Sequence, residues 1–123
     1  MKVVRRMQTQ IPPEVQHKIM QLQELQERIK ALVLRRQQLE VELRDVENAL
    51  DELKNVGEDA SIFKFAGRIL MRVSKDALVK ELMEKKETLE LHIKTLEKQE
   101  AHARKRLEEL RQDLSQSLVG ISM

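Results

Sequence analysis

The residues that could carry out chemistry are spread along the chain and form no recognisable constellation. His17, His92 and His102 have no metal-ligand spacing to one another or to a pair of carboxylates. No histidine lies near a serine in the sequence, and the chain has no cysteine, so neither a hydroxyl nor a thiolate nucleophile is indicated. No glycine-rich loop that could hold a phosphate is present. We therefore predict that the protein is not an enzyme and that it needs no metal or other cofactor.

The composition is typical of long helices rather than of a compact core. Charged residues make up 36% of the 123 residues, against roughly 25% in an average domain, and aromatic residues only 2%. Glycine occurs three times and proline twice. The absence of cysteine fits a reducing compartment, so we expect a cytoplasmic protein.

Charge and hydropathy argue against two classes of partner. The longest apolar runs are far shorter than the roughly 18 residues of a membrane span, and the N-terminus has no signal-peptide pattern. The net charge is +2, and residues 1–6 carry three of the positive charges with no acid. Elsewhere basic residues alternate with acids, and few aromatic residues are present for base stacking. We expect neither a membrane nor a nucleic-acid partner.

The first helix is predicted over residues 11–55, with residues 1–10 as a flexible extension. Two prolines suit its start near Pro13, and Gly57 follows its end. Apolar residues then recur at alternating steps of three and four, which is the pattern of a coiled coil. In phase with Val15, the series comprises Leu22, Leu25, Ile29, Leu32, Leu39, Leu43, Val46, Leu50 and Leu53, with Arg36 as a polar member.

A second helix is predicted over residues 75–118, followed by a flexible tail at 119–123. Ser74 or Asp76 is expected to cap its start, and Gly120 lies just beyond its end. Its apolar series comprises Val79, Leu82, Leu89, Ile93, Leu96, Ala103, Leu107, Leu110 and Leu114. Acid-to-base pairs four residues apart are predicted on the exposed faces of both helices: Glu14/Lys18, Glu24/Arg28, Glu40/Arg44, Glu81/Lys85, Glu90/Lys94 and Glu100/Arg104.

Between the helices, residues 59–74 are predicted to form a β-hairpin. Two short runs rich in β-branched, aromatic and apolar residues flank Ala66-Gly67, which we place at the turn. A continuous helix is the competing interpretation, but Gly57, Gly67 and the loss of heptad phase argue against it. The predicted fold class is therefore mainly α, a long antiparallel coiled-coil hairpin with a small β-hairpin at the connection between the two helices.

This fold would leave two apolar regions without enough cover. A lone two-stranded hairpin is marginally stable and exposes its edges, so it should dock with hairpins of other chains. The alternative is that it packs only on its own helix ends. The start of the first helix and the end of the second helix would meet at a free tip rich in apolar residues. That tip is either a binding site for apolar partners or a pair of frayed ends.

Several short motifs, taken together in this order, resemble the beta-type subunits of archaeal prefoldin. The resemblance covers about residues 7–118, and no single motif is decisive. One departure is that family members usually begin just before the Ile-Pro-Pro segment, so residues 1–6 are extra. The motifs are Ile11-Pro12-Pro13-Glu14-Val15-Gln16, Asp59-Ala60, Phe63-Lys64, Ala66-Gly67, Ile69-Leu70-Met71, Lys75-Asp76, Leu82, Leu89-Glu90 and Leu96-Glu97-Lys98-Gln99-Glu100.

The resemblance implies a hexameric, ATP-independent holdase of two alpha-type and four beta-type subunits. Such a chaperone holds unfolded client proteins at its coil tips, prevents their aggregation and delivers them to a group II chaperonin. It further implies that the hairpin assembles with other copies of the chain and with the alpha-type subunit, through Ile62, Phe63, Phe65, Ile69, Leu70, Met71 and Val73. The implied client contacts at the tip are Ile11, Val15, Ile19, Met20, Leu114, Leu118 and Val119.

The alternative function is that of a coiled-coil scaffold or adaptor that joins specific partners without general chaperone activity. The same helices would serve either function. Binding of several unrelated unfolded chains would distinguish the holdase from the adaptor.

Overall fold

The computed structural model describes residues 11–122, so the predicted extension at residues 1–10 lies outside the described residues. The predicted fold class is confirmed, with two long helices separated by an antiparallel β-hairpin. The elements are α1 (Pro13–Lys54), β1 (Ile62–Ala66), β2 (Ile69–Val73) and α2 (Lys75–Ser122). They form two compact units. We call residues 35–96 the hairpin unit, and residues 11–34 with 97–122 the terminal unit.

Helix α1 begins and ends where its local sequence predicts. The carbonyl oxygen of Pro12 accepts hydrogen bonds from the amides of Val15 at 3.0 Å and Gln16 at 3.1 Å, so Pro13 occupies the first helical position. Proline suits that position because its missing amide would have no partner there. Beyond the helix end at Lys54, the Lys75 ammonium donates to the carbonyl oxygen of Val56 at 2.7 Å. This bond joins the chain after α1 to the first turn of α2.

Helix α2 begins at a side-chain cap and ends later than predicted. The amide of Ala77 donates to the Ser74 hydroxyl at 3.1 Å, so of the two predicted caps Ser74 is the one used. The helix continues to Ser122, past the predicted end at residue 118, so the described part of the predicted tail is helical. Glycine inside a helix costs only about 1 kcal/mol relative to alanine, so Gly120 weakens the helix without ending it.

The buried residues follow the two predicted heptad series. Every buried apolar residue within 11–120 belongs to one of the two series. In α1 they are Val15, Ile29, Leu39, Val46 and Leu53, and in α2 they are Leu89, Ile93, Leu96, Ala103 and Leu110. In the hairpin unit the helices are antiparallel, because Glu42 contacts Lys85 whereas the later Val56 contacts the earlier Lys75. The buried residues of the two helices therefore form a coiled-coil seam.

The β-hairpin turns one residue later than predicted. Ala66 pairs with Ile69, so the two-residue loop is Gly67-Arg68 rather than Ala66-Gly67. Gly67 has a φ of 64° and Arg68 has no positive φ, as a type II′ turn requires. The predicted faces survive because moving the turn by one residue moves each cross-strand partner by two. Phe63 and Phe65 therefore still share a face.

Most of the predicted acid-to-base pairs four residues apart are wrong. Glu100 and Arg104 do form one, at 3.0 Å. Several of the other side chains reach different partners. Lys18 contacts Asp113, Glu40 contacts Arg36, Lys85 contacts Glu42, Glu81 contacts Lys64 and Glu90 contacts Lys86. The partners of Lys18, Lys85 and Glu81 lie on another element, which helical spacing alone does not reveal. Glu40 and Glu90 instead pair with the basic residue four positions before them on the same helix.

Candidate functional sites

One face of the β-hairpin is an open apolar surface in the hairpin unit. Cross-strand pairing places Phe63, Phe65, Leu70 and Arg72 on this face. The exposed fraction is 79% for Phe65 and 54% for each of Phe63 and Leu70. Aromatic side chains this exposed are a large apolar area for so small a sheet.

The opposite face is partly covered by the hairpin unit's own helix. It carries Ile62, Lys64, Met71 and Val73. The Lys64 ammonium donates to both carboxylate oxygens of Glu81 on α2, each at 2.8 Å. Ile62 and Val73 are half-buried, whereas Met71 remains 46% exposed. The ion pair therefore holds this face toward α2 and leaves the aromatic face open.

The predicted assembly residues together form what we call the hairpin surface. Five of its members are exposed and two are half-buried within the described chain. The members are Ile62, Phe63, Phe65, Ile69, Leu70, Met71 and Val73. A two-stranded sheet with two free edges and this much apolar area is suited to pairing with other sheets.

The predicted tip lies in the terminal unit, where the structure joins the start of α1 to the end of α2. The Lys18 ammonium forms an ion pair with Asp113 at 3.1 Å and donates to the Ser117 hydroxyl at 3.3 Å. Val15 is only 4% exposed and belongs to the seam. The two ends are therefore packed together rather than separate.

The accessible apolar part of the tip is smaller than the predicted set. We call Met20, Leu118 and Val119 the tip surface. Their exposed fractions are 58%, 45% and 55%. Ile11, Ile19 and Leu114 are half-buried, and Val15 offers almost no area to a partner because it packs in the seam. Helical spacing could have assigned Val15 to the seam, since it is in phase with the first heptad series.

Sequence reasoning missed several features of these sites. Leu34, Val41, Met83 and Leu91 are more than half exposed outside both predicted surfaces. The bonds made by Lys18 were missed because they depend on the register between distant segments, and no local pattern reports that register. Within residues 11–122, no three acidic or histidine side chains lie together as a metal site needs. In the same range, neither helix has an apolar stretch long enough to cross a membrane.

Comparison with known proteins points to one family over nearly the whole chain. The family model described as "Prefoldin subunit" matches residues 16–120. Prefoldin subunit beta of Archaeoglobus fulgidus is 44% identical over 109 residues, covering 89% of this chain and 94% of that protein. Prefoldin subunit beta of Pyrobaculum calidifontis is 42% identical over 112 residues, covering 91% of this chain and 90% of that protein.

Solved structures show the same likeness in three dimensions. The crystal structure of the prefoldin beta subunit from Thermococcus strain KS-1 matches with a TM-score of 0.81 and 36% identity. That match covers 88% of this chain and 95% of the solved chain. The beta2 subunit from the same strain matches with a TM-score of 0.67 at 20% identity, which shows a shared fold.

Proposed function

The chain belongs to the prefoldin subunit family, as a beta-type member, and we propose that it works as an ATP-independent holdase. In this function the tip surface binds non-native polypeptides and keeps them from aggregating. The observation that carries the proposal is the tip itself. Lys18 ties the two helix ends together, yet Met20, Leu118 and Val119 remain about half exposed on the joined ends. A pair of joined helix ends with accessible apolar side chains is suited to shallow, unselective contact with unfolded chains.

We further propose that the hairpin surface assembles the chain into a hexamer of two alpha-type and four beta-type subunits. The hairpin face bearing Phe63 and Phe65 would then be buried against hairpins of neighbouring subunits, which offsets the cost of exposing it to water. Several tips acting on one client raise the overall affinity without any strong single contact. The hexamer would work in the cytoplasm and deliver its clients to a group II chaperonin.

The proposal is tested by light scattering of a denatured client diluted into buffer without ATP. The protein is assembled with an alpha-type partner, and its mass is checked by native mass spectrometry before use. We expect suppressed aggregation of two clients that share no sequence or fold. Bovine serum albumin at equal mass concentration controls for non-specific protection.

Failure to suppress aggregation of either client, with the hexamer mass confirmed, would contradict the holdase proposal. Protection of only one client would also contradict it and would favour an adaptor with a specific partner. Breadth of binding is the property that separates the two functions, because both use the same coiled coil.

A further inference from the structure

A groove of about 460 Å³ runs between the two helices of the terminal unit. It differs in composition from the tip surface, because three of its seven lining residues are arginine or lysine. A second groove of about 360 Å³ shares Leu25, Arg28 and Arg106 with it. The lining residues of the first groove are Leu25, Arg28, Lys98, Gln99, His102, Ala103 and Arg106.

The floor of the groove contains a small residue at a seam position. Ala103 is 4% exposed and occupies a place in the second heptad series where leucine is usual. Leu25 from the facing helix is half-buried beside it. Ala103 is itself covered, so Leu25 is the apolar side chain of the groove that a bound molecule can contact.

The walls of the groove carry positive charge with little internal compensation. No carboxylate is among its lining residues. Within residues 11–122, neither Arg28 nor Lys98 forms an ion pair with an acidic side chain. The helical spacing had predicted a pair between Glu24 and Arg28, but Glu24 does not reach Arg28. Arg106 contacts Glu109 at 3.5 Å, but both side chains are 54% exposed. Such an exposed pair is weak and easily exchanged for another carboxylate.

We propose that this groove binds an acidic segment of a client polypeptide, with an apolar side chain seated over Leu25. Carboxylates on either side of that side chain then pair with Arg28, Lys98 and Arg106. The inference rests on the proposed holdase function and deepens it. The terminal unit would then contact clients in two ways, through charged and apolar side chains in the groove and through apolar side chains alone at the tip surface.

The residues that line the groove favour a polypeptide over a nucleic acid as the occupant. Single-stranded nucleic acids are held by aromatic stacking in addition to basic side chains. The two aromatic residues of the chain, Phe63 and Phe65, both lie on the hairpin, and none lines the groove. Half-buried Leu25 instead offers a contact for one aliphatic side chain of a peptide.

The test measures binding of a fluorescent peptide to the assembled complex by anisotropy. The peptide is extended and carries a leucine flanked by glutamates, and its reference replaces each glutamate with lysine. The test variant is Arg28→Gln/Lys98→Gln. The matched control is Lys30→Gln/Lys105→Gln, which removes the same charge from exposed positions on the same two helices outside the groove.

We expect the test variant to bind the acidic peptide about fivefold more weakly, the loss from two exposed charge contacts. The control variant should lose less than about twofold. Equal losses in both variants, no loss in either, or equal binding of the lysine peptide would overturn the inference. A single-stranded oligonucleotide that displaces the peptide at lower concentration than the unlabelled peptide would also overturn it.

The two proposals fail in different experiments. A wild-type complex that does not suppress client aggregation would contradict the holdase function. Equal peptide binding by the two variants, with aggregation still suppressed, would overturn only the proposal that this groove binds acidic peptide segments.

Discussion

At the scale of single residues, the hairpin surface depends most on Phe65. Its side chain is 79% exposed, so it contributes little to the stability of the isolated chain. Leu70 lies directly opposite it on the other strand. A partner that covers this pair would bury more apolar area than at any other cross-strand pair of the hairpin, because an aromatic side chain supplies the larger share.

Phe65→Asp is expected to block hexamer formation while leaving the helices intact. A carboxylate buried in an apolar interface without a partner is strongly unfavourable, whereas the same group in water is not. Native mass spectrometry should show the hexamer lost, and circular dichroism should show unchanged helicity.

The matched control for this substitution is Leu91→Asp. Leu91 is also an exposed apolar residue, at 60%, but it lies on α2 outside the hairpin surface. Its substitution should leave the hexamer mass unchanged. A hexamer that survives Phe65→Asp would show that the hairpin face does not form the assembly interface.

At the scale of elements, the coiled-coil seam provides the stability of the helices. Leu39 is 2% exposed, whereas Leu34 is 57% exposed on the same helix. We expect Leu39→Ala to destabilise the protein by about 2–3 kcal/mol, toward the low end for buried leucines because a two-helix seam lies close to water. Leu34→Ala should change the free energy of unfolding by less than about 0.5 kcal/mol.

The two variants are compared by urea unfolding, which is monitored by circular dichroism at one fixed protein concentration. The concentration is held constant because assembly adds a concentration-dependent term to stability. Equal shifts of the two midpoints would show that the seam is not where helix stability originates.

The elements that were predicted best are those that are determined by residues close together in the sequence. The seam was predicted residue by residue because burial in a coiled coil follows the heptad period, which one segment contains in full. The cap at Ser74 was also foreseen, from side-chain chemistry within a few residues. The later end of α2 was missed, because a glycine lowers helix stability without fixing a boundary.

Features that depend on register between segments were not predicted. The turn at Gly67-Arg68 was placed one residue early, because both placements keep the same residues on each face. Lys18 was assigned to Glu14 but bonds instead to Asp113, almost a hundred residues away. The basic groove combines residues of both helices, so neither helix alone reveals it.

At the scale of the whole molecule, the proposed holdase separates assembly from client binding. The hairpin surface belongs to one compact unit and the tip surface to the other. Substitutions in one surface should therefore leave the task of the other unchanged. Weak contacts at each tip are sufficient if several subunits bind one client together.

The most direct test of this separation is client aggregation measured with Met20→Ser/Leu118→Ser/Val119→Ser in the assembled complex. Its control is Leu34→Ser/Val41→Ser/Leu91→Ser, which removes three apolar side chains of similar exposure from outside both surfaces. We predict that the tip variant keeps the hexamer mass and loses most of the suppression of light scattering, whereas the control keeps both. Equal suppression by the two variants, or loss of the hexamer together with activity in the tip variant, would contradict the account.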